Sequence, residues 1–173
     1  PWQIIAAYVA MDYGVRISGL AVPMGEGYLG LPLLAGQALT IVLLLGFMNT
    51  VNLADGLDGL AAGIVAIAAG TFFVVAVLQG QTQVVLFAKQ LKLAAVLSAA
   101  LCGAALGFLY HNFHPAKQFM GDSGSLLLGF MLGAITVIGT LKTTAVFALI
   151  IPVIVVAVPV LDVAFAIVRR ARR

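Results

Sequence analysis

Long apolar runs alternate with short polar breaks along this chain. Leu33–Val51, Leu60–Leu78, Leu93–Tyr110, Leu126–Leu141 and Ala145–Val168 are each long enough to span, or nearly span, a bilayer. Residues Pro1–Met11 read as the end of an earlier span. The run Leu126–Leu141 is short, and fits either a helix that extends back into the preceding Gly-Ser segment or a crossing where the bundle is tilted or thin. The stretch Asp12–Pro32, rich in Gly and Pro, fits a short outer hairpin around Gly25-Glu26-Gly27 or a simple connecting loop. The pattern therefore predicts an all-α polytopic membrane protein, a multi-span bundle of transmembrane helices. It reads as one domain over residues 1–173, without a linker or a long repeat.

Composition agrees with that reading. The chain is 63% hydrophobic and 9% charged, with a mean hydropathy of +1.17, which excludes a soluble domain. Its net charge is only +3, and four of its nine basic residues fall in the last five positions. Nothing resembles a nucleic-acid-binding stripe. Lone Cys102 lies in an apolar run and reads as a small buried hydrophobe; one cysteine provides no disulfide framework. Pro1 opens inside an apolar stretch and Arg173 closes a basic cluster, so the chain is expected to be a piece of a longer protein.

Parity organises the polar breaks. If Asn52–Gly59 lies on one side, the next two spans carry the chain across and back, so His111–Ser125 shares that side. Two further spans return Arg169–Arg173 to it. The basic cluster near a span end makes this side cytoplasmic by the positive-inside rule. The polar loops are thus expected to face the cytoplasm.

The runs Asn52–Gly59 and Phe119–Ser125 hold three of the six acidic residues, Asp55, Asp58 and Asp122. Carboxylates near a bilayer are costly and rarely kept without a task. Each run precedes a predicted span, with Ser123 or Ser125 available to cap the helix starting near Leu126. Helix N-termini attract anions such as phosphate, and the interleaved glycines leave the backbone open to close approach. Carboxylates beside a phosphate repel it unless a cation intervenes. Their hard oxygens suit Mg²⁺ or Mn²⁺. Capping alone accounts for one of the three carboxylates more readily than for all of them. His111 and His114 read as interfacial polar residues rather than as metal ligands. Asp162, about 10 Å along a helix from Arg169 at 1.5 Å per residue, reads as structural or positioning. The spacings Gly59/Gly63, Gly103/Gly107 and Gly129/Gly133 fit tight helix packing, with a homodimer face as the second reading.

Three stretches resemble the polyprenyl-phosphate N-acetylhexosamine-1-phosphate transferases: Val51–Gly63 (VNLADGLDGLAAG), Asn112–Ser125 (NFHPAKQFMGDSGS) and Pro159–Arg170 (PVLDVAFAIVRR). The similarity covers roughly residues 34–173, the later part of such an enzyme. It implies transfer of N-acetylglucosamine-1-phosphate from its UDP donor to undecaprenyl phosphate, with release of UMP. The branch that transfers phospho-N-acetylmuramoyl-pentapeptide is the alternative, and the second and third stretches look less like it. The resemblance also implies that Asp122 ligands Mg²⁺ and that Phe119 stacks on uracil. Asn52, Asp55 and Asp58 would line the nucleotide pocket, with Asp58 nearest the base, and Asn112 is a further site candidate. An Asp-Asp motif and a His-rich loop belonging to such enzymes would lie before Pro1 and after Arg173, so this chain alone is expected to be inactive. Two other classes compete less well. An intramembrane aspartyl protease would need Gly where Phe119 stands, and a transporter would hold its ions nearer mid-membrane.

Overall fold

The computed structural model describes residues 2–21, 28–80, 85–140, 165 and 169–170. Its elements are α1 (Trp2–Asp12), β1 (Gly19–Ala21), β2 (Tyr28–Gly30), α2 (Leu33–Ala54), α3 (Leu60–Gly80), α4 (Val85–Asn112) and α5 (Gly121–Thr140). Among the described residues, four helices are long and apolar enough to cross a membrane, and they correspond to the first four predicted spans. The last predicted span, Asp162 and the turn Gly25–Gly27 lie outside the described residues. Strands β1 and β2 pair antiparallel, Gly19 with Gly30 and Ala21 with Tyr28, as the hairpin reading requires.

Two boundaries differ from those of the apolar runs. Helix α4 begins at Val85 and takes in Lys89 and Lys92, which the hydrophobic pattern assigned to a loop. A lysine stem can lie along an apolar surface while its ammonium reaches the polar boundary. Helix α5 begins at Gly121, five residues before the apolar run, so of the two readings the extension back into the Gly-Ser segment is the one observed. Asp122 therefore sits in its first turn, where a negative charge complements the free N–H groups. Ser125 lies one turn inside and caps nothing. Its Oγ instead donates to the Gly121 carbonyl at 3.0 Å, a bond back along its own helix.

Helix α3 packs chiefly on α4, and α2 on α5, with α5 also meeting α3 and α4. The main core joins Phe47, Val51 and Ala54 of α2 to Ala61, Val65 and Ala69 of α3. Leu101 and Ala105 of α4 and Leu132 and Ile135 of α5 complete it. Alanine-rich faces let these backbones approach closely, as small residues do where lipid offers little drive for helix association. The α2–α5 contact is the tightest. A Cβ on Gly129 would lie 2.6 Å from the Phe47 carbonyl oxygen and 2.7 Å from Met48 Cα; one on Gly133 would lie 3.1 Å from Leu44 Cδ2. The tight-packing reading thus holds for this glycine pair. It does not extend to Gly63, Gly103 and Gly107, where an added Cβ meets nothing within 4 Å among the described residues.

Helix α1 runs antiparallel to α2, its Gln3 amide paired with that of Asn49. The Ile17 N–H donates to Thr40 Oγ1 at 3.0 Å and ties the segment after α1 to the start of α2. These contacts leave the end of α2 beside the starts of α3 and α5, where the polar runs lie.

Candidate active site

Helix α2 ends on Asn52, Leu53 and Ala54, and the Asp55 N–H closes it on the Val51 and Asn52 carbonyls. The chain then turns through Asp58 and Gly59. Gly59 has a φ of +76°, a conformation with little cost only for glycine, and an added Cβ would also press on Leu109 Cδ1 at 3.3 Å. Its N–H donates to Asn112 Oδ1 at 2.9 Å. Asn112, the last residue of α4, is buried, and its Nδ2 donates to the Gln118 carbonyl at 2.8 Å. One carboxamide thereby joins the α2–α3 turn to the α4–α5 loop, with both of its polar atoms engaged by protein.

Asp58 makes a second tie between the same two segments. Its Oδ2 accepts from the Ala116 N–H at 3.1 Å and from His114 Nδ1 at 3.0 Å. The Ala116 N–H first, then the His114 hydrogen bond, hold the Asp58 carboxyl below the usual carboxylate range. A depressed pKa means that this tie is complete above the ordinary carboxylate pKa and disappears as pH falls through the lower folded-state value. Asp58→Ala is expected to speed deuterium exchange at the Ala116 amide at neutral pH. In the unsubstituted protein the same acceleration should appear only in acid.

The other two carboxylates are near enough for the charge of one to act on the other. Burial pushes the Asp55 carboxyl up, a hydrogen bond from the Gly121 backbone opposes this, and the Asp122 charge adds to the rise. Asp122 is exposed, and its Oδ1 accepts from Asn52 Nδ2 at 3.1 Å. The same Nδ2 donates to Ser125 Oγ at 2.9 Å. Residues 70 positions apart thus meet across the α2–α5 contact. Phe119, at 80% exposure, presents a bare aromatic surface two residues before α5.

All six candidate residues therefore gather at one end of the bundle, as parity required, but they do not form one cluster. Asp55 lies near enough to feel the Asp122 charge, while Asp58 turns to the α4–α5 loop. Among the described residues no group of three or more His, Cys, Asp and Glu side chains could hold a metal ion. His114 is taken up by Asp58 rather than paired with His111, whose ring stacks edge-on with Tyr110 at 5.0 Å. Asp55 and Asp122 are nevertheless hard oxygen donors within range of each other's charge at the same end of the bundle. That arrangement fits a small divalent cation using one or two carboxylates and keeping positions for substrate phosphate oxygens.

Sequence reasoning missed the parts of His114 and Ser125. His114 read only as an interfacial polar residue, and Ser125 resembled a cap. Only the start of α5 at Gly121 turns Ser125 toward α2.

A bundle of membrane-spanning helices with carboxylates, amides and helix N-termini at one end belongs to the class of polytopic membrane proteins that handle charged groups at the bilayer boundary. Comparison with known proteins is more specific. The glycosyl transferase family 4 profile matches residues 1–140, and the chain belongs to that family. It is 37% identical, over 97% of its length, to the Bacillus subtilis probable undecaprenyl-phosphate N-acetylglucosaminyl 1-phosphate transferase. It is 46% identical, over 98% of its length, to the decaprenyl-phosphate N-acetylglucosaminephosphotransferase of Mycolicibacterium smegmatis. The match covers 44% of each of these relatives, so the chain spans about half the length of the curated proteins it matches. A phospho-N-acetylmuramoyl-pentapeptide-transferase of Bacillus velezensis is 41% identical over 83% of the chain and 39% of that relative.

Proposed function

We propose that this chain is a membrane part of an enzyme that transfers N-acetylglucosamine-1-phosphate from UDP-N-acetylglucosamine to a polyprenyl phosphate such as undecaprenyl phosphate, releasing UMP. The observation that carries the reading is the Asn52–Asp122 hydrogen bond where the end of α2 touches the start of α5, with Asp55 near enough to feel the Asp122 charge. The names of relatives aligned over nearly the whole chain support it, and the pentapeptide-transferase relative aligns over less. A polar site at the end of a membrane bundle suits a donor from water and an acceptor from lipid. The basic cluster supports a cytoplasmic orientation in the bacterial inner membrane.

Asp122 and Asp55 would hold Mg²⁺ or Mn²⁺. When bound, the cation neutralises charge on the diphosphate and on the leaving UMP. The remaining tasks fall to the protein's own groups. The free N–H groups of the first turn of α5 and its positive end favour the donor phosphates. Asn52 orients Asp122 through its Nδ2. Asp58 and Asn112 hold the loop that carries Phe119, whose exposed ring would stack on uracil. These roles leave the reaction itself to positioning and charge stabilisation, which is where catalysis of phosphoryl transfer resides.

Base stacking on an aromatic ring contributes about 1–3 kcal/mol. Phe119→Ala should therefore raise KM for the UDP-sugar by roughly ten- to a hundred-fold, with a smaller change in kcat, while Phe119→Tyr should keep near-normal KM. The test of the whole reading is exchange of labelled UMP into UDP-N-acetylglucosamine by the full-length protein, dependent on undecaprenyl phosphate. Exchange into UDP-N-acetylmuramoyl-pentapeptide alone would move the assignment to the other branch. No exchange into either would return it to the protease or transporter class.

A further inference from the structure

We infer that Ser125 is a positioning residue for the cation site, acting on Asp122 through Asn52. The inference deepens the proposed function and rests on Asp122 being the cation ligand.

Asn52 Nδ2 carries two hydrogens, and both have acceptors: Asp122 Oδ1 at 3.1 Å and Ser125 Oγ at 2.9 Å. An amide nitrogen only donates, so the serine oxygen accepts from it. Its own hydrogen then goes to the Gly121 carbonyl at 3.0 Å, with the Asp122 carbonyl at 3.3 Å as a second acceptor. Every hydrogen in this chain has a defined direction, so the amide plane of Asn52 cannot rotate without breaking a bond. Ser125 is fully buried, which makes a broken bond there more costly than at the surface.

The consequence falls on Asp122, which is exposed and has few packing contacts to fix its rotamer. Asn52 engages Oδ1, and no hydrogen bond reaches Oδ2 among the described residues. The carboxylate is thus held by one oxygen and presents the other outward. Without Ser125, one amide hydrogen of Asn52 loses its acceptor. The amide can then rotate, and Asp122 loses its fixed donor. Outer partners of metal ligands commonly contribute about 10- to 100-fold in metal affinity.

The experiment titrates Mn²⁺ into the full-length protein without nucleotide, with free Mn²⁺ followed by electron paramagnetic resonance. Ser125→Ala should weaken Mn²⁺ binding by about ten-fold, and added Mg²⁺ should restore kcat toward that of the unsubstituted enzyme. A simple loss of folded protein would lower kcat at every Mg²⁺ concentration. Unchanged Mn²⁺ affinity in Ser125→Ala, with binding abolished in Asp122→Asn, overturns the inference and leaves the cation reading standing. Undiminished binding in Asp122→Asn overturns the cation reading itself. If Ser125→Ala does not fold, Asn52→Ala cuts the same chain from α2 and should give the same weakening; normal affinity there also overturns the inference. Where both single variants fold, their combination should bind no more weakly than the worse of them, because both break one chain. Additive losses would contradict it.

Discussion

Asp122→Asn in the full-length protein should lower UMP release by roughly a thousand-fold or more while leaving the helix bundle intact. The size follows from the several kcal/mol that a bound cation supplies to a developing charge, at about 1.4 kcal/mol per factor of ten. The fold should survive because Asp122 is exposed in the first turn of α5, and among the described residues its side chain bonds only the Asn52 amide. An asparagine can still accept that bond through its own oxygen, so the change removes charge and spares shape. Thermal unfolding in detergent should match the unsubstituted protein. Near-normal turnover would remove Asp122 from the cation site. Lost turnover together with a lowered melting temperature would make it structural.

Gly129→Ala should have the largest effect on stability, and should also reduce activity from a position with no chemistry of its own. An added Cβ would stand 2.6 Å from the Phe47 carbonyl oxygen and 2.7 Å from Met48 Cα. Both are backbone atoms of α2, so no side chain can swing aside, and the helices must separate. Overpacking in a tight interior typically costs about 1–3 kcal/mol, and a clash with backbone belongs at the upper end of that range. The separation acts on the contact that brings Asn52 to Asp122, so turnover should fall with stability. Gly103→Ala is the matched control, since its Cβ meets nothing within 4 Å among the described residues and alanine favours a helix. Equal melting temperatures for the two variants would show that α2 and α5 are not held as closely as the backbone indicates.

The helices themselves were legible because their signal is local. A bilayer demands about 20 apolar residues in sequence, and that demand is written directly into Leu33–Val51 and Leu60–Leu78. Boundaries were less legible wherever polar residues belong to a helix. Lys89 and Lys92 read as loop because their charge dominates a hydropathy window, although their stems are apolar. Whether Asp122 to Ser125 belong to a helix stayed open because a helix that begins at a polar boundary tolerates such residues in its first turn. The candidate site was partly legible for a related reason. Carboxylates beside a bilayer stand out by cost alone, so Asp55, Asp58 and Asp122 drew attention without any fold. Their partition did not. Asp58 bonds to His114 and Ala116, 56 and 58 positions away, and nothing near Asp58 in the sequence names those partners.

By itself, then, the sequence determined a membrane bundle, the number of crossings up to residue 140, and the end of the bundle at which its polar runs gather. Hydropathy and parity are properties of consecutive residues, and they suffice for these conclusions. The tertiary structure alone decided that α2 lies against α5 through Gly129 and Gly133. It decided that one amide of α2, that of Asn52, bonds both the exposed Asp122 and the buried Ser125 of α5, while Asp58 closes a loop. Each of these is a pairing of residues far apart in the chain, and such pairings arise only when helix surfaces choose one another by shape.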